Sequence, residues 1–230
     1  MARDRCLVLV PYRGHVEPAC EEGLRELESR GYAVRRVDSS AAIDRARSEL
    51  ATQALAEGFE ELMWIDSDIA FEPDAVERLR SHDLPLVAGL FAKRGVRQFG
   101  CAFLEDTEEV VLGEGGGPIE VRYIGTAFLL TRRRVYEDVA RAFDLPVCNA
   151  RVVPAVPYFL PMVVRQPDGG FWYLSEAWSF CERARQAGYK VMIDTAIRLL
   201  HLGRYGYGWE DVGAPIARTK SATLRLPKRT

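Results

Sequence analysis

Along the first hundred residues, short apolar runs alternate with stretches whose apolar positions recur every three or four residues. Short runs suit buried strands, so the chain predicts strands at residues 6–11, 33–37, 62–65 and 86–90. The longer spacing suits one face of a helix. Residues 18–30 carry Leu24 and Leu27 and stop at Gly31; residues 43–56 carry Ile43, Ala46, Leu50 and Ala54 and stop before Gly58. Pro73 sits where a first helical residue would, with Val76 and Leu79 facing inward.

Such alternation predicts an α/β fold with a Rossmann-like, mostly parallel sheet flanked by helices. The second half reads differently. Residues 98–103 and 109–112 suggest a hairpin, 113–118 a glycine-rich loop, and 119–124 and 190–193 further strands. Residues 132–143 and 175–187 read as helices, and no internal repeat is present. Residues 1–215 are expected to form one domain. The remaining residues, 216–230, hold Arg218, Lys220, Arg225, Lys228 and Arg229 with little apolar periodicity, which suggests a basic tail or a lid.

Composition narrows the class. At 230 residues, with 48% hydrophobic and 28% charged positions, the chain can bury a core without disulfides. A formal net charge of −2 gives no general pull toward nucleic acid. No uncharged apolar run is long enough to span a membrane; residues 152–164 come nearest and are broken by Pro154, Pro157 and Pro161. The N-terminus shows no cleavage signal, so the expected location is cytoplasmic. Five cysteines, with no Cys-x-x-Cys pair, suggest buried thiols.

The chemistry concentrates at Leu62-Met63-Trp64-Ile65-Asp66-Ser67-Asp68, where two carboxylates two residues apart end an apolar run. Period-two geometry lets both project to one side, and like charges held so close call for a cation or a shared proton. Oxygen ligands of this kind suit Mg²⁺ or Mn²⁺. A simple turn, with Asp68 capping a loop, would use the same residues. Position favours the metal, because open α/β sheets bind ligands at the carboxyl ends of their strands.

On this motif the chain resembles a glycosyltransferase of the GT-A fold, family-2-like, whose Asp-x-Asp pair holds a metal on a sugar nucleotide's diphosphate. Further stretches carry the resemblance: Arg45-Ala46-Arg47-Ser48 matches the family's Ala-Arg-Asn stretch with serine for asparagine. Residues 123–130 resemble the segment lining the donor sugar, and Leu174-Ser175-Glu176 with Phe180-Cys181 resembles the acidic acceptor-site helix. The resemblance spans residues 5–210 and implies a smaller antiparallel portion on the acceptor side. It implies Mn²⁺ or Mg²⁺ held by Asp66, Asp68 and His201, a UDP- or GDP-sugar as donor, and an unidentified acceptor hydroxyl. His201, at the end of an apolar run, could equally be a half-buried histidine bonded to backbone.

Pro11, Tyr12, Arg13 and Asp38 follow the first two strands, where a base and ribose would sit; turn chemistry would also explain Asp38. Asp66 and Ser67 join them on the nucleotide, Gly125 and Thr126 on the donor sugar, and Arg47 and Arg204 on phosphate. His15 and His82 lie in polar stretches and read as surface residues. Residues 204–209, rich in glycine and aromatics, suggest a lid.

Inverting members place an aspartate base after the glutamate of the acceptor helix. Here Glu176 is followed by Ala177, which cannot accept a proton. Three accounts stay open: Glu176 acts from a shifted position, configuration is retained without such a base, or Ala177 is a natural or engineered replacement that leaves binding without transfer. Two other classes compete. A nucleotide-sugar- or glycan-binding module would explain Ala177, and phosphatases of the haloacid-dehalogenase type also use Asp-x-Asp, though near the first strand and with Thr or Val where Ala70 stands.

Overall fold

The first strand is a short, wholly uncharged apolar run. Cys6–Tyr12 (β1) is buried from Cys6 to Pro11, as a strand covered on both faces must be. Pro18 opens α1 (Pro18–Ser29), where a missing N–H leaves no bond unmade, and Cys20, Leu24 and Leu27 form its buried stripe. β2 (Ala33–Asp38), α2 (Ile43–Ala56) and β3 (Glu61–Ile65) follow as the spacing predicts. The computed structural model describes residues 2–39, 42–203, 205–212 and 220–226.

Beyond β3 come β4 (Ile69–Phe71), α3 (Asp74–Ser81), β5 (Leu86–Gly89) and β6 (Cys101–Phe103). They are followed by β7 (Glu109–Gly113), β8 (Pro118–Ile124), β9 (Phe128–Arg132) and α4 (Arg133–Ala142). The chain continues through β10 (Met162–Arg165), β11 (Phe171–Leu174), α5 (Glu176–Gln186) and β12 (Val191–Asp194). It closes with β13 (Leu199–Leu202), β14 (Gly206–Tyr207) and β15 (Ser221–Arg225).

The main sheet has the order β2-β1-β3-β9-β5-β12-β8-β6. β8 and β9 run against the other six strands, so the sheet is mostly parallel as expected. Helices α2, α4 and α5 pack together on one face. On that face Trp64 donates to the Tyr136 hydroxyl at 2.8 Å, and Phe159 stacks on Phe180 with centroids 4.7 Å apart. The proline-broken stretch is thereby pinned to the core through Phe159. α1 and α3, joined by an Arg30–Asp74 ion pair, cover the other face.

Several expectations need correction. β6 and β7 do not form a hairpin: β6 pairs with β8, and β7 pairs with β15. Part of the stretch expected as a tail or lid is therefore a strand, because the edge of β7 offers free backbone groups that Ser221–Arg225 satisfies. β9 is not among the expected strands: residues 128–130 fall in the segment expected to line a site and Arg132 in an expected helix, and the strand is inserted antiparallel between β3 and β5. His82 is no surface residue: its Nε2 lies 2.7 Å from the buried Asp194 carboxylate. His15 is exposed, near Glu17. Cys6, Cys20 and Cys181 are buried free thiols, each pushed up to about 12 chiefly by burial.

Among the described residues no helix is long and apolar enough to cross a membrane.

Candidate active site

The carboxyl ends of β1, β2 and β3 form one rim. Tyr12 and Asp38 are register partners there, and Ser39 N–H donates to the Tyr12 carbonyl at 2.7 Å. Asp38 and Arg13 are exposed at this rim, whereas Pro11 is buried within β1. The structure thus brings the expected base and ribose residues to the same edge as the Asp66-Ser67-Asp68 turn. That turn is tied down by Glu17 N–H on the Ser67 carbonyl at 2.9 Å.

The two carboxylates of the turn diverge. Asp66 accepts from Nη2 of Arg47 at 2.6 Å, and its backbone N–H donates to the Ala127 carbonyl. Arg47 is 3% exposed, with its guanidinium 5.4 Å from the Trp64 ring centroid, so it reaches the site through Asp66 instead of facing an incoming phosphate. Asp68 instead faces His201, whose Nε2 is 3.4 Å from Oδ2, and Arg94, whose Nη1 is 3.1 Å from the same oxygen. Burial alone would raise the Asp68 carboxyl, but His201 and then Arg94 outweigh it and hold it below the usual carboxylate range.

Local pairing explains this convergence. β4 lies antiparallel to β13 with His201 opposite Ile69, and Leu202 N–H donates to the Asp68 carbonyl at 2.7 Å. Nδ1 of His201 lies 3.0 Å from the Ala92 carbonyl and donates to it, which in the neutral ring leaves the Nε2 lone pair facing Asp68. His201 is thus half-buried and bonded to backbone, and its other ring nitrogen stands against the second aspartate.

Oδ2 of Asp68 and Nε2 of His201 are within reach of one divalent cation; the carboxylate suits Mn²⁺ or Mg²⁺ completed by water and phosphate, and the imidazole nitrogen favours Mn²⁺ of the two. The donor set fits such an ion with two protein ligands; Asp66 faces Arg47 instead. Among the described residues no group of three or more His, Cys, Asp or Glu side chains forms a metal cluster.

From Asp66 an open cleft of about 390 Å³ runs to the start of α5, where Ser175, Glu176 and Ala177 line it. Ala177 is 4% exposed and presents a methyl group. Glu176 is half-buried and has no ion-pair partner among the described residues. Thr126 and Gly125 form part of the wall; a Cβ on Gly125 would stand 2.6 Å from Phe91 Cζ, so any side chain there would push the Phe91 ring aside. A larger groove of about 1030 Å³ between α1, β4 and β13 contains none of the expected site residues.

Sequence reasoning missed the loop after β5. Its Ala92 carbonyl orients His201, Lys93 lines the cleft with its ammonium 5.8 Å from the Trp178 ring centroid, and Arg94 meets Asp68. Two basic residues just past a strand's carboxyl end were the available signal. Arg204 lies outside the described residues. The aromatic loop is docked, not standing open: Gly206–Tyr207 pairs with β13 and Trp209 is buried.

No family model matches the chain, and no curated protein does. Among solved structures, A197 from STIV is 13% identical over 94% of this chain and 97% of that one, with a TM-score of 0.56. A glycosyltransferase involved in glycosylation of the major capsid of PBCV-1 is 13% identical over 60% of this chain and 65% of that one, at 0.36. S. aureus TarS 1-349, solved also in complex with UDP-GlcNAc, is 13% identical over 83% of this chain and 58% of that one, at 0.40. The match covers less than two thirds of the latter two chains. What the first likeness shows is a fold shared over nearly the whole length.

Proposed function

We propose that this chain is a nucleotide-sugar-dependent glycosyltransferase of GT-A architecture that moves a sugar from a UDP- or GDP-sugar to an acceptor hydroxyl. The observation that carries this reading is the meeting of Asp68 and His201 at the carboxyl rim of a mostly parallel sheet, with Nδ1 of His201 committed to the Ala92 carbonyl. Asp68 and His201 would hold a divalent ion, which when bound supplies positive charge against the departing diphosphate.

The remaining work falls to the chain's own side chains. Tyr12 and Asp38 take the base and ribose at the rim of β1 and β2, and Asp66, held by Arg47, accepts from a nucleotide hydroxyl. Gly125 and Thr126 shape the wall beside the sugar. As the anomeric C–O bond breaks, the diphosphate leaves with the electron pair, and the acceptor oxygen bonds to the anomeric carbon. Its proton passes to Glu176, the cleft carboxylate with no cationic partner among the described residues.

Ala177 favours a second reading, a nucleotide-sugar-binding module without transfer. The phosphatase alternative fits less well, since its attacking aspartate would have to be free, whereas Asp66 is bound by Arg47.

The test is calorimetric titration with a panel of UDP- and GDP-sugars, with and without Mn²⁺, followed by a turnover assay. Metal-dependent binding of one donor is expected, and slow hydrolysis or transfer of the bound sugar separates enzyme from module. If no donor binds in either condition, the proposal is overturned.

A further inference from the structure

A cation already sits on the carboxylate oxygen that a metal would take. Nη1 of Arg94 is 3.1 Å from Oδ2 of Asp68, the oxygen that also faces His201, and 3.2 Å from the Leu202 carbonyl. Two positive groups on one carboxylate oxygen repel each other, so a divalent ion entering between Asp68 and His201 must displace the guanidinium. The side chain is free to go: Arg94 is 50% exposed. The backbone beneath it is held, since Lys93 N–H donates to the Gln98 carbonyl at 2.8 Å, Ala92 bridges to Phe99, and Gly95 turns the chain at φ +73°.

The displaced guanidinium stays beside the cleft that Lys93 lines, and Lys93 has no ion pair among the described residues. A planar fork of donors next to an ammonium suits phosphate oxygens. We infer that Arg94 is an exchangeable counter-ion, neutralising Asp68 in the empty protein and passing to the donor's diphosphate when a divalent cation replaces it. This rests on the proposed function and assigns its diphosphate subsite to Lys93 and Arg94. The exchange spares the empty site an uncompensated carboxylate and makes tight metal binding depend on an anion that can receive the arginine.

The experiment uses Mn²⁺ alone, followed by electron paramagnetic resonance of the free ion, and inorganic pyrophosphate with Mg²⁺, followed by calorimetry. Wild type, Arg94→Gln and Asp68→Asn are compared after their thermal melts are checked. Arg94→Gln should bind Mn²⁺ about fivefold tighter than wild type and magnesium pyrophosphate about fivefold more weakly, the scale of one partly exposed ion pair. Asp68→Asn should lose Mn²⁺. Unchanged or weaker Mn²⁺ binding by Arg94→Gln, with Asp68→Asn still losing it, overturns the exchange and leaves the metal site standing. Absence of Mn²⁺ binding in wild type and Arg94→Gln alike overturns both. Metal-free pyrophosphate binding that Arg94→Gln abolishes also overturns the exchange, because the arginine would then replace the metal permanently.

Discussion

Arg47 and Asp66 form an ion pair 2.6 Å long, its guanidinium buried against Trp64 and its carboxylate at the edge of the cleft, at the root of the turn that carries Asp68. The two aspartates of one short motif therefore meet different charges: Asp66 neutralises the buried Arg47 at the edge of the cleft, and Asp68 faces His201 and Arg94. Nε and Nη1 of Arg47 are buried without a hydrogen-bond partner, so Asp66 is what compensates that charge.

Stability should distinguish the two aspartates. Asp66→Ala strands a buried guanidinium and should cost about 3 kcal/mol in chemical denaturation. Asp68→Asn loses a partly exposed pairing, screened by solvent, and should cost under about 1 kcal/mol. Equal losses would contradict this division.

Donor binding should follow the opposite order of tolerance. His201→Ala removes the imidazole at Asp68 while leaving the β4–β13 backbone pairing in place, so calorimetry should show loss of the Mn²⁺-dependent part of nucleotide-sugar binding with a folded protein by circular dichroism. Retained metal-dependent binding would remove His201 from the site.

Glu176 and Ala177 can be separated by rate. Glu176→Gln keeps the shape but not the proton acceptor and should lower turnover at least about a hundredfold with donor affinity unchanged. Ala177→Asp places a carboxylate in the first turn of α5, where the helix dipole favours it, and should raise turnover. Turnover unaffected by Glu176→Gln would exclude Glu176 as the base.

Part of the acid sensitivity should reside away from the site, at Asp194. Burial would raise the Asp194 carboxyl, but Arg78, His82 and the Ala196 N–H outweigh it and hold it below its ordinary value of 3.8. A carboxyl lowered on folding stabilises fully above its unfolded pKa and loses that contribution as pH falls through the folded one. Wild-type stability should thus decline below pH 3.8, and Asp194→Asn should be less stable at neutral pH yet show a flatter acid limb in melts across pH 2–6.

Phe159→Ala should cost about 3–5 kcal/mol, since the ring is fully buried between Trp64 and Phe180 and leaves a cavity when removed. A loss under about 1 kcal/mol in urea would show that the proline-rich stretch is not part of the core.

Much was legible from residues alone. The strands and helices up to β5, apart from the short β4, declared themselves because local periodicity and glycine or proline punctuation set them. The Asp-x-Asp turn was placed at the carboxyl rim for the same reason, and Tyr12 and Asp38 beside it. Strand partners were not legible: which edge Glu109–Gly113 takes, or that Phe128–Arg132 slips antiparallel between β3 and β5, depends on contacts between distant residues. Nor could spacing reveal that Asp66 turns to Arg47 while Asp68 meets His201 and Arg94, from 133 and 26 residues away. Sequence by itself determined which elements form and which acids stand at the rim, because those follow from neighbours along the chain. Tertiary structure decided which charge each acid meets, because a carboxylate's partner is chosen by proximity in space.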